Sequence, residues 1–393
     1  MRRTLLVVAG VVCAAVLVVR AQSGAVLPGD ALPGVTPAEL EEFRLGVDDF
    51  LEVETSEEGL GPAFNGTSCA ACHHVPAIGG ISTVSELRAG HRRADGTFQP
   101  ASVDGETLFH LFSIPTHTCQ PMIPPEANVI ARRVPVPVFG AGLIEAIEDA
   151  TILDREDPSD RNRDGISGRA AMITDIATGA RRVGRFGWKA QHATLLAFGA
   201  DAYRNEMGIT NELFPTESAT DVDAARMRLC DRIPDPEDIR DPRTRRRGID
   251  NFASFMRFLA PVARAGGDVA VLAEGERVFG AIGCAMCHVP VLTTGPSANP
   301  LFNRRPVALF SDLLLHDVGT GDGIQQGAAE PNEIRTPALW GLRFRRPLLH
   351  DGSVATIDEA IRRHGGEAGL AREGFERLGD GERAALLAFL NSL

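Results

Sequence analysis

The chain has 393 residues, 44% apolar and 23% charged, enough for two ordinary domains with a sizeable core and unlike a disordered chain. Its formal net charge of −12 excludes the basic face of a nucleic-acid binder. Lys189 is the single lysine, so Schiff-base chemistry has no other place to reside, and Tyr203, Trp188 and Trp340 complete the tyrosines and tryptophans.

The chain opens Met1-Arg2-Arg3, runs apolar from Leu5 to Val19, and reaches a small-residue site at Val19-Arg20-Ala21. This is the pattern of a secretory signal peptide over residues 1–21, so an exported, periplasmic and soluble mature protein is expected. The alternative, an uncleaved anchor, would need a longer apolar run. Residues 22–37 are rich in Pro and Gly and read as a linker. Thr36, with Glu39 three residues on, is a capping box that predicts a helix carrying Phe43, Val47, Phe50 and Leu51 on one side.

Next comes Cys69-Ala70-Ala71-Cys72-His73, a frame that recurs as Cys284-Ala285-Met286-Cys287-His288. C-x-x-C-H is the attachment signature of c-type haem. Two thiols at this spacing reach the two vinyl groups on one porphyrin edge, and the adjacent imidazole ligates the iron. A zinc knuckle would require a second Cys/His pair about a dozen residues on, which neither site has, and a thioredoxin-like pair does not require the trailing histidine. Two covalent haems are therefore expected. His74, His91, His110 and His117 follow the first motif, and any of them is a candidate ligand or an ordinary surface histidine. Cys119 and Cys230, in an oxidising compartment, read as a disulfide or as two separate buried thiols.

Asp160, Asn162 and Asp164 precede Gly165 with oxygens at every second residue, as in the first half of a calcium loop, but Ala171 stands where the bidentate Glu belongs. The same spacing suits an Asx-rich turn. Leu259 to Gly267 reads as the boundary between an N-terminal haem domain, 38–260, and a C-terminal cytochrome c domain, 261–393. The second half repeats the first. Gly275 stands four residues before Phe279, as Gly46 does before Phe50. Arg335-Thr336-Pro337 with Trp340-Gly341 parallels Arg133-Val134-Pro135 with Phe139-Gly140. His350 precedes Thr356-Ile357 as Trp188 precedes Thr194-Leu195, with both threonines as helix N-caps. His316-Asp317 and Arg335 read as haem-propionate partners or a structural ion pair. An amphipathic helix closes the chain through Leu386, Leu387, Leu390 and Leu393. The fold class expected is mainly α, two cytochrome c-like haem domains with the first enlarged by insertions.

Several segments together resemble the di-haem oxidoreductase family, relatives of the bacterial di-haem cytochrome c peroxidases. They are Phe64-Asn65, Gly184 to Ala190, Glu206 to Thr210, Ser311 to Asp317, Leu349 to Gly352 and His364 to Ala368. The resemblance covers nearly the whole mature chain. It implies that His364, fourteen residues after His350 of the H-D-G motif, is the second axial ligand opposite His288. It also implies Glu206 as acid–base catalyst beside the first haem and Trp188 as an electron relay between the haems. His117 would suit a histidine ahead of the Arg-Val-Pro segment, and relatives hold calcium between their domains. The implied activity is peroxidase-like: hydrogen peroxide or another small oxidant at the first haem, and electrons from a small cytochrome or cupredoxin at the second. The alternatives are a non-catalytic di-haem electron carrier, or an enzyme that oxidises a protein or thiol partner.

Overall fold

The computed structural model describes residues 26–102, 105–114, 119–218 and 224–393. The expected signal peptide and His117 lie outside them. No helix among the described residues is long and apolar enough to cross a membrane.

The opening helix, Pro37–Leu51, begins as its sequence dictates. Thr36 Oγ1 accepts the Glu39 amide at 3.3 Å, and the Thr36 amide donates to Glu39 Oε2 at 2.7 Å. This helix crosses the Gly248–Phe258 helix at Gly46, where a Cβ would stand 2.6 Å from Phe255 Cβ. Phe50 then packs on Phe255 with ring centroids 4.6 Å apart. The second half repeats the device. Helix Val269–Ala281, capped by Asp268, meets the closing helix Asp380–Ser392 at Gly275, where a Cβ would lie 2.5 Å from Phe389 Cβ. Phe279 packs on Phe389 at 5.4 Å. In each half a glycine brings two backbones together and an aromatic fills the wedge beside them.

The helices carry both haem motifs, but the insertions are not helical. Glu86–Arg92 pairs antiparallel with Phe98–Pro100, Leu108–Phe109 and Val129–Arg133, forming a four-stranded sheet. Ala171–Thr174 and Arg181–Gly184 form a hairpin. The mainly α expectation is thus too helical for the first half. These strands are two to seven residues long, too short for a visible alternation of polar and apolar residues.

Two cores result. The smaller gathers Val278, Phe279, Phe375, Leu386, Phe389 and Leu390. The larger surrounds Phe43, Phe50, Phe252 and Phe255, and also takes in Val289, Leu301, Leu313 and Trp340. The chain beyond residue 260 therefore contributes to both. Cys119 and Cys230 form a disulfide with Cα atoms 6.1 Å apart, pinning the insertion across 111 residues.

Candidate functional site

Two cavities open beside the two C-x-x-C-H motifs. The first, about 1200 Å³, is lined by Cys69, Cys72 and His73 together with Glu86, Trp188 and Glu206. The second, about 1550 Å³, is lined by Cys284, Cys287, His288, His364, Arg335 and again Trp188.

The motif side chains are arranged for haem. His73 Nδ1 lies 2.8 Å from the Gly80 carbonyl, His288 Nδ1 3.1 Å from Phe310 O, and His364 Nδ1 2.7 Å from Ala360 O. Donating Nδ1–H to a carbonyl fixes the tautomer and leaves Nε2 unprotonated, the form that ligates iron. The four motif thiols are free. Burial pushes Cys72 and Cys284 up to about 12, the opposite of a thioredoxin-type nucleophile.

Buried arginines with donors to spare complete the fit, although Arg133 also pairs with Asp322 through Nε at 2.7 Å. Arg133 lines the first cavity with Nη2 buried and unpartnered. In the second, Arg345 has an unpartnered buried Nε and spends Nη2 on the carbonyls of Ala338 and Trp340. Arg335 donates to the carbonyls of Gly187 and Thr336. Burial lowers both arginines to about 10, and among the described residues no carboxylate hydrogen-bonds either one. Haem propionates are anions of the right kind for these sites. His316 is not available for that task. Its Nε2 lies 2.9 Å from Asp312 and its Nδ1 2.7 Å from Glu367. Burial alone would lower it, but hydrogen bonds to Asp312, Cys287 and Glu367 push it up to about 12. It is an ion-paired strut, while Asp317 bonds the Gly319 amide and Asn332.

The first cavity differs from the second in its far-side chemistry. His73 is the only histidine lining it among the described residues. His74, His91 and His110 bond the carbonyls of Ala70, Glu126 and Asn205 elsewhere. Glu206, in helix Leu195–Met207, accepts from Asn65 Nδ2 at 2.7 Å and lies within hydrogen-bond reach of Glu86. Burial and then the Glu86 charge raise Glu206 to about 8. Glu86 is half-buried, which opposes ionisation, yet Arg88 and then Arg133 hold it low. Glu86 is the residue that sequence reasoning missed. Arg88 stands two residues on in its own strand, but Arg133 comes from another strand and Glu206 from a helix far along the chain, and no local pattern marks Glu86 as a site residue.

Trp188 is the one tryptophan that faces both cavities. Its Nε1 donates to Val134 O at 2.8 Å, and its ring meets His350 edge-on at 6.1 Å. The internal repeat closes around this wall: the Val134 amide donates to His350 O, and the Arg335 amide to Trp188 O, each at 2.8 Å. Lys189, next along, is consumed by structure. Its Nζ donates to the carbonyls of Glu330, Pro331 and Glu333 and sits 3.1 Å from Asp322. The Asp160 to Asp164 loop is a self-contained set of Asx turns. Asp160 accepts the Asp164 and Gly165 amides, Asn162 the Asp164 amide, and Asp164 the Ile166 amide.

Residues 124–393 match the family described as "di-haem oxidoreductase, putative peroxidase". The chain is 28% identical over 166 residues to the methylamine utilization protein MauG of Methylorubrum extorquens, covering 36% of this chain and 42% of that protein. It is 28% identical over 143 residues to the cytochrome-c peroxidase IdrP2 of Denitromonas iodatirespirans, covering 30% of this chain and 38% of that protein. The alignments thus span about two fifths of the length of these relatives. Among solved structures, a MauG-like protein associated with microbial copper homeostasis matches with TM-score 0.42 and 17% identity over 95% of this chain and 94% of that one. The diheme peroxidase BthA of Burkholderia thailandensis matches with TM-score 0.42 and 15% identity over 90% and 86%. The family match spans more than half of the sequence, and the chain belongs to the di-haem oxidoreductases.

Proposed function

We propose that this is an exported peroxidase-type oxidoreductase with one haem thioether-linked at Cys69 and Cys72 and another at Cys284 and Cys287. A small donor protein delivers electrons at the second cavity, Trp188 relays them, and hydrogen peroxide or a related small oxidant is reduced at the first. The observation that carries this reading is the inequality of the two cavities. One is lined by four histidines, of which His288 and His364 each turn Nδ1 to a backbone carbonyl and keep Nε2 for iron, while the other is lined by His73 alone among the described residues, with a protonatable carboxyl, Glu206.

Bound haem supplies an iron that exchanges electrons with an oxidant. The protein's own residues do the rest. His288 and His364 would hold the iron of the second haem, and a histidine pair suits it to electron storage. Glu206 holds a proton where an oxidant must receive one. Trp188 closes the gap between the cavities with an aromatic ring whose only polar atom is tied to Val134. Arg133, Arg335 and Arg345 offer their spare donors to propionates. The Cys119–Cys230 disulfide supports an oxidising compartment, in keeping with the leader-like N-terminus.

The test is stepwise reductive titration of the purified holoprotein, with spectra before and after peroxide. One high-spin and one low-spin haem, with peroxide-dependent oxidation of a reduced donor, is the expected result. Two low-spin haems in every redox state, without peroxide turnover, would make the protein an electron carrier. Haem staining after denaturation checks attachment, and loss of one of two bound haems is expected in Cys69→Ala/Cys72→Ala.

A further inference from the structure

Glu206 does not face the first cavity alone. Glu86 lines the same cavity from the central strand of the inserted sheet and lies within hydrogen-bond reach of it. Each carboxyl is held by a different set of partners. Arg88 grips Glu86 with Nε at 2.6 Å from Oε1 and Nη2 at 3.0 Å from Oε2. Arg133, whose strand pairs with that of Glu86 in direct register, brings Nη1 to 3.9 Å. Among the described residues no arginine hydrogen-bonds Glu206; its Oε2 accepts from Asn65. Two carboxylates in contact cannot both stay ionised in a buried site, so one proton is shared between them. The arginines decide which one keeps it.

We propose that Glu86 is a positioning residue that holds the catalytic proton on Glu206, so that the pair enters the reaction as one carboxylate and one carboxylic acid. This rests on the peroxidase reading for its purpose, but the proton pair is a property of the protein by itself. Asn65 donates to Oε2 of Glu206, which leaves the other oxygen to hold the proton shared with Glu86. Glu206 therefore enters as the acid, and becomes a base only after it has given that proton up. Both the burial of Glu206 and the Glu86 charge support this order. The charged and titratable groups around Glu206 are Glu86 and Arg88 from the sheet, Arg133 from the adjoining strand, Cys72 from the haem motif, and Asp201 on its own helix.

The experiment is infrared difference titration of the holoprotein, without peroxide, together with the pH profile of peroxide turnover. A protonated-carboxyl band should be present at pH 7, vanish in Glu206→Gln, and titrate on the alkaline side of neutrality. Glu86→Gln should move that titration at least one pH unit lower, and shift the alkaline limb of turnover with it. Asn65→Ala, which removes a donor to Glu206, should move both in the opposite direction, a contrast that general damage to the site would not produce. Absence of a Glu206-dependent band at pH 7, or an unmoved titration in Glu86→Gln, overturns the proposal. If the band and its shifts appear but peroxide is never turned over, the carboxyl pair stands and the peroxidase reading falls.

Discussion

Replacing Gly275 by alanine tests the packing that shapes the second cavity. The new Cβ would sit 2.5 Å from Phe389 Cβ, with the Ala385 carbonyl closer still, against 3.4–4 Å for ordinary contact. Neither obstacle is the end of a flexible side chain, so the two helices must part by about 1 Å, and such overpacking costs about 1–3 kcal/mol. Alanine recovers up to about 1 kcal/mol of helix propensity. Gly280, in the same helix, supplies the control, because nothing lies within 4 Å of its Cβ position. Gly280→Ala should keep the propensity gain without the clash. Comparing the two variants cancels the propensity term and leaves Gly275→Ala less stable by about 1–3 kcal/mol. Denaturant titration of both holoproteins measures the difference. Phe279 and Leu390 line the second cavity, so the clash should also disturb that haem's spectrum and spare the first. Equal stabilities for the two variants would refute the reasoning.

Glu206→Gln should slow the reaction with peroxide by roughly 10²–10⁴-fold in stopped-flow measurements and leave the second haem's spectrum unchanged. His364→Ala should abolish the low-spin signal of the second haem, as read by electron paramagnetic resonance. Asp322, held at about 2 by Arg133 and Lys189 although burial opposes ionisation, lies below its ordinary 3.8. The resulting stability, about 2 kcal/mol, is complete above pH 3.8 and lost as the pH falls towards 2. Acid unfolding of wild type against Asp322→Asn should show that limb only in the wild type. At pH 7 the variant should be about 3–5 kcal/mol less stable, since two buried cations lose their partner. Cys119→Ser/Cys230→Ser should cost about 2–5 kcal/mol in the same titration, because the bridge closes a long loop.

The local features were legible in the residues themselves. Thr36, Thr194 and Thr356 cap helices as expected, and Gly46 and Gly275 sit at the two helix crossings. Each of these depends on neighbours within a turn or two, or on a repeat that can be read twice. His364 was singled out by the family resemblance and not by a local pattern, and it lines the same cavity as His288. The sheet was not legible, because strands this short signal weakly and one of their pairings joins residues about forty positions apart.

Sequence alone determined where two thiols and an imidazole stand at the spacing a porphyrin edge needs, since that pattern takes five consecutive residues. It also determined how the framing helices begin and where they touch. Only the tertiary structure decided that Glu86 faces Glu206, that Arg133 and Arg345 keep unpaired donors, and that one tryptophan serves both cavities. Those relations join residues such as Asn65 and Glu206, 141 positions apart, which the folded path of the chain brings to 2.7 Å. Charge and proton placement follow from burial and from such distant neighbours, and neither is written in any short stretch of sequence.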